Sequence, residues 1–141
     1  VGKLRTNGYL QALQDAAHYQ SEPVVTTTAK GDSIEDVIDH MFRANKAIDA
    51  IIAIDNTTGV VALQKALKLN YNIPQDLSII GFSDENVLQF TDPKLSTVSQ
   101  HTLDIGKASV ELLINKLKDK ADVQSTTKTI KTKLILRGTT K

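Results

Sequence analysis

The sequence contains no cysteine and no tryptophan, and aromatic residues make up only 4% of it. The absence of cysteine excludes disulfide bonds and thiolate metal ligands, but it does not distinguish the cytosol from a bacterial periplasm. The sequence also lacks any run of about 18 apolar residues and any signal-peptide core at its N-terminus. Neither a membrane-spanning helix nor a signal segment is therefore predicted, and no contact with a membrane is expected.

Neither sign of charge dominates the chain. Its 17 basic and 16 acidic residues give a formal net charge of +1, which provides no broad electrostatic attraction to nucleic acid or to an anionic membrane. Three lysines do flank the last predicted strand, at positions 128, 131 and 133. They are interpreted either as a solvated face that protects a sheet edge or as a small basic patch.

The 141 residues, 40% hydrophobic and 23% charged, fit a single globular domain. The only methionine is Met41, so the chain has no initiator methionine. We interpret the chain as a fragment or a processed product whose natural N-terminal part is missing.

Helix and strand patterns alternate along the sequence, as judged from apolar periodicity and turn residues. This order predicts an α/β fold with a doubly wound parallel sheet and right-handed crossovers. The predicted elements are a helix over 2–19, a strand over 24–28, a helix opened by 31–33 and ending near 45, a strand over 50–54, a helix from about 56 to 70, a strand over 77–82, a short strand within 92–100, a helix over 102–118 and a strand over 130–136.

The predicted helices differ in how they are expected to be buried. Asp32 and Glu35 resemble a capping box at the start of the second helix. The apolar stripes expected to face the core are Ile34, Val37, Ile38, Met41 and Phe42 on this helix, and Val60, Leu63 and Leu67 on the next. The helix over 102–118 has an unusually wide apolar face, which predicts burial against something larger than the rest of this chain supplies.

Two buried strands end in polar turns, within Ile73–Asp84 and Asp92–Gln100. In an open α/β sheet, ligands bind at the carboxyl ends of parallel strands, where the turns are exposed and the strands behind them are rigid. Both turns are therefore candidates for one small-molecule pocket.

Several segments together carry a family resemblance. These are Asp49–Asn56, Ile73–Phe82, Leu95–Gln100, Ile105 with Gly106, and Leu136–Thr139. In order and spacing they resemble the C-terminal half of lactose-repressor-type (LacI/GalR) bacterial transcription regulators, and the resemblance extends from Arg5 to Thr140.

The resemblance implies a two-lobed sensor with a periplasmic-binding-protein-like (type I) fold. In that family a sugar or purine effector binds between the lobes, and a helix-turn-helix head binds operator DNA. This chain would supply the C-terminal lobe of a cytoplasmic homodimer, with no cofactor, and DNA would be contacted only through a head that is absent here. The helix over 102–118 would belong to the N-terminal lobe, and the chain alone would self-associate through that helix or through the dimer surface.

By the same resemblance, six residues would contact the effector, which is expected to be a sugar. Asp55 and Asn56 invert the family's usual Asn-Asp pair, and Ser83 replaces a common aspartate, so an acidic contact is lost. Gln100 matches a position that contacts both ligand and hinge. The predicted effector-binding residues are Arg5, Asp55, Asn56, Ser83, Asp84 and Gln100.

Simpler interpretations stay open for each of these positions. Arg5 could be an ordinary exposed helix residue, and Asp55 or Asn56 could serve only as a helix cap. The family's dimer surface predicts interface roles for Val60, Leu88 and Phe90, which could instead be core residues.

Other functions are less well supported by the sequence. His18, His40 and His101 have no ligand spacing, so no metal site is predicted, and His101, where the family often has proline, is either a titrating or a solvent-facing residue. No nucleophile elbow, phosphate loop or metalloprotease motif is present, so an enzyme is not expected. The alternative function is a periplasmic sugar receptor of a transport system, because the same two-lobed fold serves both roles.

Overall fold

Helices and strands are interspersed along the chain in the computed structural model, which describes residues 2–16, 23–29, 31–83, 90–118 and 127–141. This arrangement confirms the predicted α/β class. In chain order the elements are α1 (Gly2–Asp15), α2 (Ile34–Ala44), β1 (Ala50–Ile52), α3 (Asn56–Lys68), β2 (Ser78–Phe82), β3 (Ser96–Ser99), α4 (Thr102–Lys118) and β4 (Lys133–Ile135).

The four strands form one sheet in the order β1-β2-β3-β4. β1, β2 and β3 are parallel, with Ile52 opposite Ile80 and Ile80 opposite Ser96. β4 runs antiparallel to β3, because the chain re-enters the sheet with Lys133 beside Ser99, at the end of the sheet where β3 finishes. The sheet is therefore mixed, and the carboxyl ends of its three parallel strands lie at one edge.

The hydrophobic core lies between the sheet and helices α2 and α3. Alternate residues of a strand point to opposite faces, so Ile79 and Gly81 are buried on the helix-covered face whereas Ile80 and Phe82 on the other face are only half-buried. The buried core residues are Ile38 and Phe42 of α2, Ala62, Leu63 and Ala66 of α3, Ile79 of β2, and Leu77 and Leu95, which directly precede β2 and β3.

Small residues allow α3 to approach the sheet closely. A Cβ atom on Gly59 would lie 3.3 Å from Leu95 Cδ2 and 3.4 Å from Gly81 Cα. Ala62 and Ala66 on the same side of α3 are fully buried. The predicted stripe was therefore partly wrong, because the close approach turns the small residues inward and leaves Leu67 39% exposed.

Two local predictions are corrected. The N-cap of α2 is Ser33, whose Oγ accepts from the Asp36 backbone N–H at 3.4 Å. Asp32 instead accepts from the Ala29 backbone N–H at 2.7 Å, so the capping box of Asp32 with Glu35 does not form.

The segment 23–29 is not a strand, since a β-branched run needs a neighbouring strand to take up its hydrogen bonds. Val24 and Val25 in this segment are 51% and 46% exposed.

The C-terminal tail is hydrogen-bonded to the first residues of β2 and β3 and to Leu95, which precedes β3. The Thr139 hydroxyl is fully buried; it donates to the Ile79 carbonyl oxygen at 2.6 Å and accepts from the Ser96 backbone N–H at 2.8 Å. The Arg137 Nη1 donates to the Leu95 carbonyl oxygen at 2.6 Å. These contacts fix the chain end to the sheet.

Helix α4 is confirmed over its predicted range, and most of its apolar residues are exposed. Leu103 and Leu117 are 80% and 74% exposed, and Ala108 is the buried residue of the helix. Its assignment to a second lobe stays a prediction.

Among the helices of the described ranges, none combines the length and the hydrophobicity that a membrane-spanning segment requires.

Candidate functional site at the carboxyl edge of the parallel strands

The guanidinium group of Arg5 contacts the ends of all three parallel strands. Its Nη1 donates to the carbonyl oxygen of Ile54, which follows β1, and its Nη2 donates to Gln100 Oε1, which follows β3, at 2.7 Å. Its Cζ lies 4.5 Å from the centroid of the Phe82 ring at the end of β2. Arg5 is half-buried, so it is not a freely exposed helix residue.

These contacts confirm that the ends of the parallel strands converge, as the order of the elements predicted. The Arg5 Nη1 and Nη2 each have one described partner, and the planar guanidinium carries five N–H donors in total. The remaining donors can bind hydroxyl, carbonyl or carboxylate oxygens of a small molecule. The described edge can therefore recognise an oxygen-rich ligand.

Asp55 is the N-cap of α3. Its Oδ1 accepts from the backbone N–H groups of Thr57 and Thr58 at 2.9 and 2.8 Å, and the Thr58 hydroxyl donates to its Oδ2 at 2.5 Å. Asp55 is exposed, and carboxylate oxygens can accept more than one hydrogen bond each. Capping is therefore observed, and an additional contact with an effector stays a prediction.

The other predicted effector residues are described to different extents. Ser83 follows β2 directly and is only 3% exposed, and its contact with an effector stays a prediction. Asn56 is the first residue of α3 and lies beside the same edge. Asp84 lies outside the described residues.

The three predicted dimer residues do not form one described patch. Val60 is half-buried and packs against the hydrophobic core, which supports the core interpretation for that residue. Phe90 is 79% exposed, as an interface residue of a single protomer would be. Leu88 lies outside the described residues, and the dimer interface stays a prediction.

His101 follows Gln100 and shapes the start of α4. Its φ of 55° is uncommon for a residue with a side chain. Its carbonyl oxygen accepts from the backbone N–H groups of Asp104 and Ile105 at 2.9 and 3.0 Å, and its Nδ1 lies 3.8 Å from Asp104 Oδ2. In the part of the chain that the structure describes, no group of three or more His, Asp or Glu side chains is arranged to hold a metal ion.

The lysines near β4 are better explained as solvated residues than as a nucleic-acid site. Lys128 Nζ lies 3.1 Å from Glu111 Oε2 on α4, so one of the three is paired with an acidic group. Lys131 and Lys133 are exposed on an edge strand and its approach.

Two contributors to the site were missed by the sequence analysis. Phe82 lay within a quoted motif but received no role, and the Ile54 carbonyl could not be anticipated from residue type. An aromatic residue in the last position of a buried strand, directly before a polar turn, was the available signal for Phe82.

Comparisons with known proteins agree with this architecture. The profile of the periplasmic binding protein-like domain matches residues 1–140. The chain is 28% identical to the HTH-type transcriptional repressor CytR of Escherichia coli (strain K12), across 97% of this chain and 40% of that protein. It is 29% identical to the ribose operon repressor of Bacillus subtilis (strain 168), across 81% of this chain and 35% of that protein.

A solved structure shares the fold. A LacI family transcriptional regulator from Arthrobacter sp. FB24, in complex with lactose, superposes with a TM-score of 0.70 at 24% identity, across 77% of this chain and 41% of that one. The chain thus spans about two fifths of the length of the relatives it matches. It belongs to the periplasmic binding protein-like domain family, and its resemblance to LacI-type transcription regulators is confirmed.

Proposed function

We propose that this chain is the effector-sensing part of a LacI-type transcription regulator and that it binds a sugar at the carboxyl edge of β1, β2 and β3. The convergence of Arg5, Phe82 and Gln100 on that edge carries the proposal. Vicinal hydroxyls of a sugar present closely spaced oxygens, which match the spacing of donors on a guanidinium fork. Asp55, Asn56, Ser83 and Asp84 would complete the contacts.

In this proposal the effector acts without being chemically changed. Binding between two lobes would stabilise one lobe angle over another, and the shifted angle would alter the spacing of two helix-turn-helix heads on DNA. The regulator would work in the cytoplasm as a homodimer, and DNA would be contacted only by the heads. Both cited curated relatives are named as repressors, which favours a regulator over a periplasmic sugar receptor.

The sugar site can be tested by titrating the ¹⁵N-labelled chain with D-ribose, lactose and cellobiose and following its amide resonances. We expect one of these sugars to shift, saturably, the backbone amides of 54–56 and 83 and the side-chain amide of Gln100. Arg5→Gln should abolish those shifts, because glutamine keeps hydrogen-bonding groups but loses the charge and the fork.

Arg43→Gln is the matched control, since Arg43 is an arginine on α2 whose side chain is 80% exposed. It should leave the titration unchanged. Saturable shifts that survive Arg5→Gln, or the absence of saturable shifts with all three sugars, would reject the proposed site.

The homodimer can be tested separately by sedimentation equilibrium. Phe90→Ser should weaken self-association if the predicted dimer surface is used. Leu103→Ser removes an equally exposed side chain from α4, at 80% against 79% exposure, and should have little effect. The opposite pattern would assign self-association to α4 and reject the dimer surface.

A further inference from the structure

Phe82 is the one aromatic residue among the described contacts of Arg5, and it lies on the sheet face opposite the hydrophobic core. Its ring centroid is 4.5 Å from Arg5 Cζ, within the distance at which a cation and an aromatic face attract each other. The ring is half-buried and is not part of the core cluster that contains Ile79 and Leu95. Arg5 is therefore the described partner that gives this ring a role.

The three contacts of Arg5 constrain different directions of movement. The hydrogen bonds to the Ile54 carbonyl oxygen and to Gln100 Oε1 fix the positions of Nη1 and Nη2. Those bonds alone allow the plane to tilt about the line that joins the two acceptors. The Phe82 ring, with its centroid 4.5 Å from Cζ, is a third contact that lies off this pair of hydrogen bonds, and we expect it to limit that tilt.

Among the described residues, these three contacts are the ones that hold Arg5 at the edge. Helix α1 has no fully buried residue in its described range, so the side chain of Arg5 is not held by a helix that is itself part of the buried core. The described carboxylate in the predicted site, Asp55, is engaged in capping α3 and is not an ion-pair partner of Arg5. Within the described residues, the contacts of Arg5 are thus with neutral groups: a carbonyl, an amide and a ring.

We infer that Phe82 is a positioning residue for effector recognition, which sets the plane in which Arg5 offers its remaining N–H donors. The inference rests on the proposed sugar-binding function. Because Phe82, the Ile54 carbonyl and Gln100 already contact the guanidinium, the effector would meet Arg5 through its remaining N–H donors. Oxygen acceptors lying in the guanidinium plane are the groups that this arrangement selects.

Three variants separate positioning from general stability. Phe82→Leu keeps an apolar side chain but removes the ring, and Phe82→Tyr keeps the ring. Tyr71→Leu is the matched control, because it removes a ring that packs on Phe42 at a centroid distance of 5.6 Å, away from Arg5.

The first readout needs no ligand. The Phe82 ring current should shift the Arg5 Hδ and Hε resonances upfield in the wild type and in Phe82→Tyr, and the shift should disappear in Phe82→Leu. The second readout is affinity for whichever of D-ribose, lactose and cellobiose binds the wild type. Phe82→Leu should weaken it about fivefold, the size expected for one cation–π contact, and Phe82→Tyr should restore it.

The outcomes distinguish this inference from the function on which it rests. If Arg5→Gln abolishes binding while Phe82→Leu leaves it unchanged, the site stands and the positioning role is overturned. If Tyr71→Leu weakens binding as much as Phe82→Leu, the effect is one of stability and the role is again overturned. If none of the three sugars binds, the sugar proposal fails, and the positioning of Arg5 is decided by the ligand-free shift, whose persistence in Phe82→Leu overturns it.

Discussion

The hydroxyl of Thr139 donates a hydrogen bond of 2.6 Å to the carbonyl oxygen of Ile79, 60 positions earlier in the sequence. The same hydroxyl accepts from the Ser96 backbone N–H, and the Ile79 backbone N–H donates to the Thr139 carbonyl oxygen at 2.8 Å. One buried side chain thus joins the tail to β2 and β3. Thr139 therefore anchors β2 and β3 at their amino ends, whereas the candidate site lies at their carboxyl ends.

Thr139→Val should destabilise the fold markedly. The substitution keeps the shape of the side chain but leaves the Ile79 carbonyl and the Ser96 N–H without their partner, at about 1–3 kcal/mol for each buried group. Thr139→Ser keeps the hydroxyl and should lose only about 1 kcal/mol with the methyl group. Urea unfolding followed by circular dichroism measures both, and equal stabilities would show that the hydroxyl is unimportant.

Asp39 should make the stability depend on pH in the acidic range. The Asp39 carboxylate on α2 accepts a hydrogen bond from the Lys65 ammonium group on α3. This hydrogen bond is the main reason why the pKa of Asp39 is lower than its ordinary value of 3.8. A lowered native pKa means that the stabilisation is present at neutral pH and is lost as the pH falls through that pKa. Asp39→Asn should therefore be less stable than the wild type at neutral pH, with a difference that shrinks below pH 3.8.

Thermal unfolding over that pH range checks the prediction. Arg43→Gln is the control, because the Arg43 Nη2 lies 3.5 Å from Asp39 Oδ2 and the Arg43 side chain is 80% exposed, so its removal should have a smaller effect. A difference between the wild type and Asp39→Asn that is independent of pH would contradict the assignment.

Asp55 variants can separate helix capping from effector binding. Asp55→Ala removes the acceptor for the Thr57 and Thr58 N–H groups and should cost about 1 kcal/mol of stability. Asp55→Asn keeps a capping oxygen and should retain most of that stability, but it removes the charge. If Asp55→Asn is stable and binds sugar as the wild type does, the carboxylate serves only as a cap.

Two glycines should respond in opposite directions to replacement by alanine. A Cβ atom on Gly138 would lie 3.1 Å from Pro93 Cβ and 3.2 Å from the Lys94 backbone nitrogen, so Gly138→Ala should destabilise by about 1–3 kcal/mol. Gly8 lies in helix α1, and a Cβ atom there would meet no described atom within 4 Å apart from the nearby backbone of that helix, so Gly8→Ala should stabilise by up to about 1 kcal/mol. Chemical denaturation of both variants tests the pair, and a common sign would contradict the close contact at Gly138.

Patterns that arise from local periodicity were predictable. The apolar runs of β1 and β2, the cap of α3 at Asp55, and the full range of α4 depend on residues that are neighbours in the sequence. The wrong elements depend on distant partners. The segment 23–29 has strand-forming residues but no described neighbour to pair with, and Leu67 was assigned inward although Gly59 and Ala66 determine which face of α3 meets the sheet.

The same division applies to the candidate site. The sequence by itself determined which strand ends would meet, because the order of helices and strands brings the carboxyl ends of parallel strands to one edge. The family resemblance predicted effector contacts for Arg5 and Gln100, which the structure brings together at that edge. Only the tertiary structure decided that Arg5 lies over the Phe82 ring and donates to the Ile54 carbonyl, and that Thr139 joins two strands. Those contacts depend on side-chain directions across as many as 77 residues, which packing determines and which neither residue type nor spacing specifies.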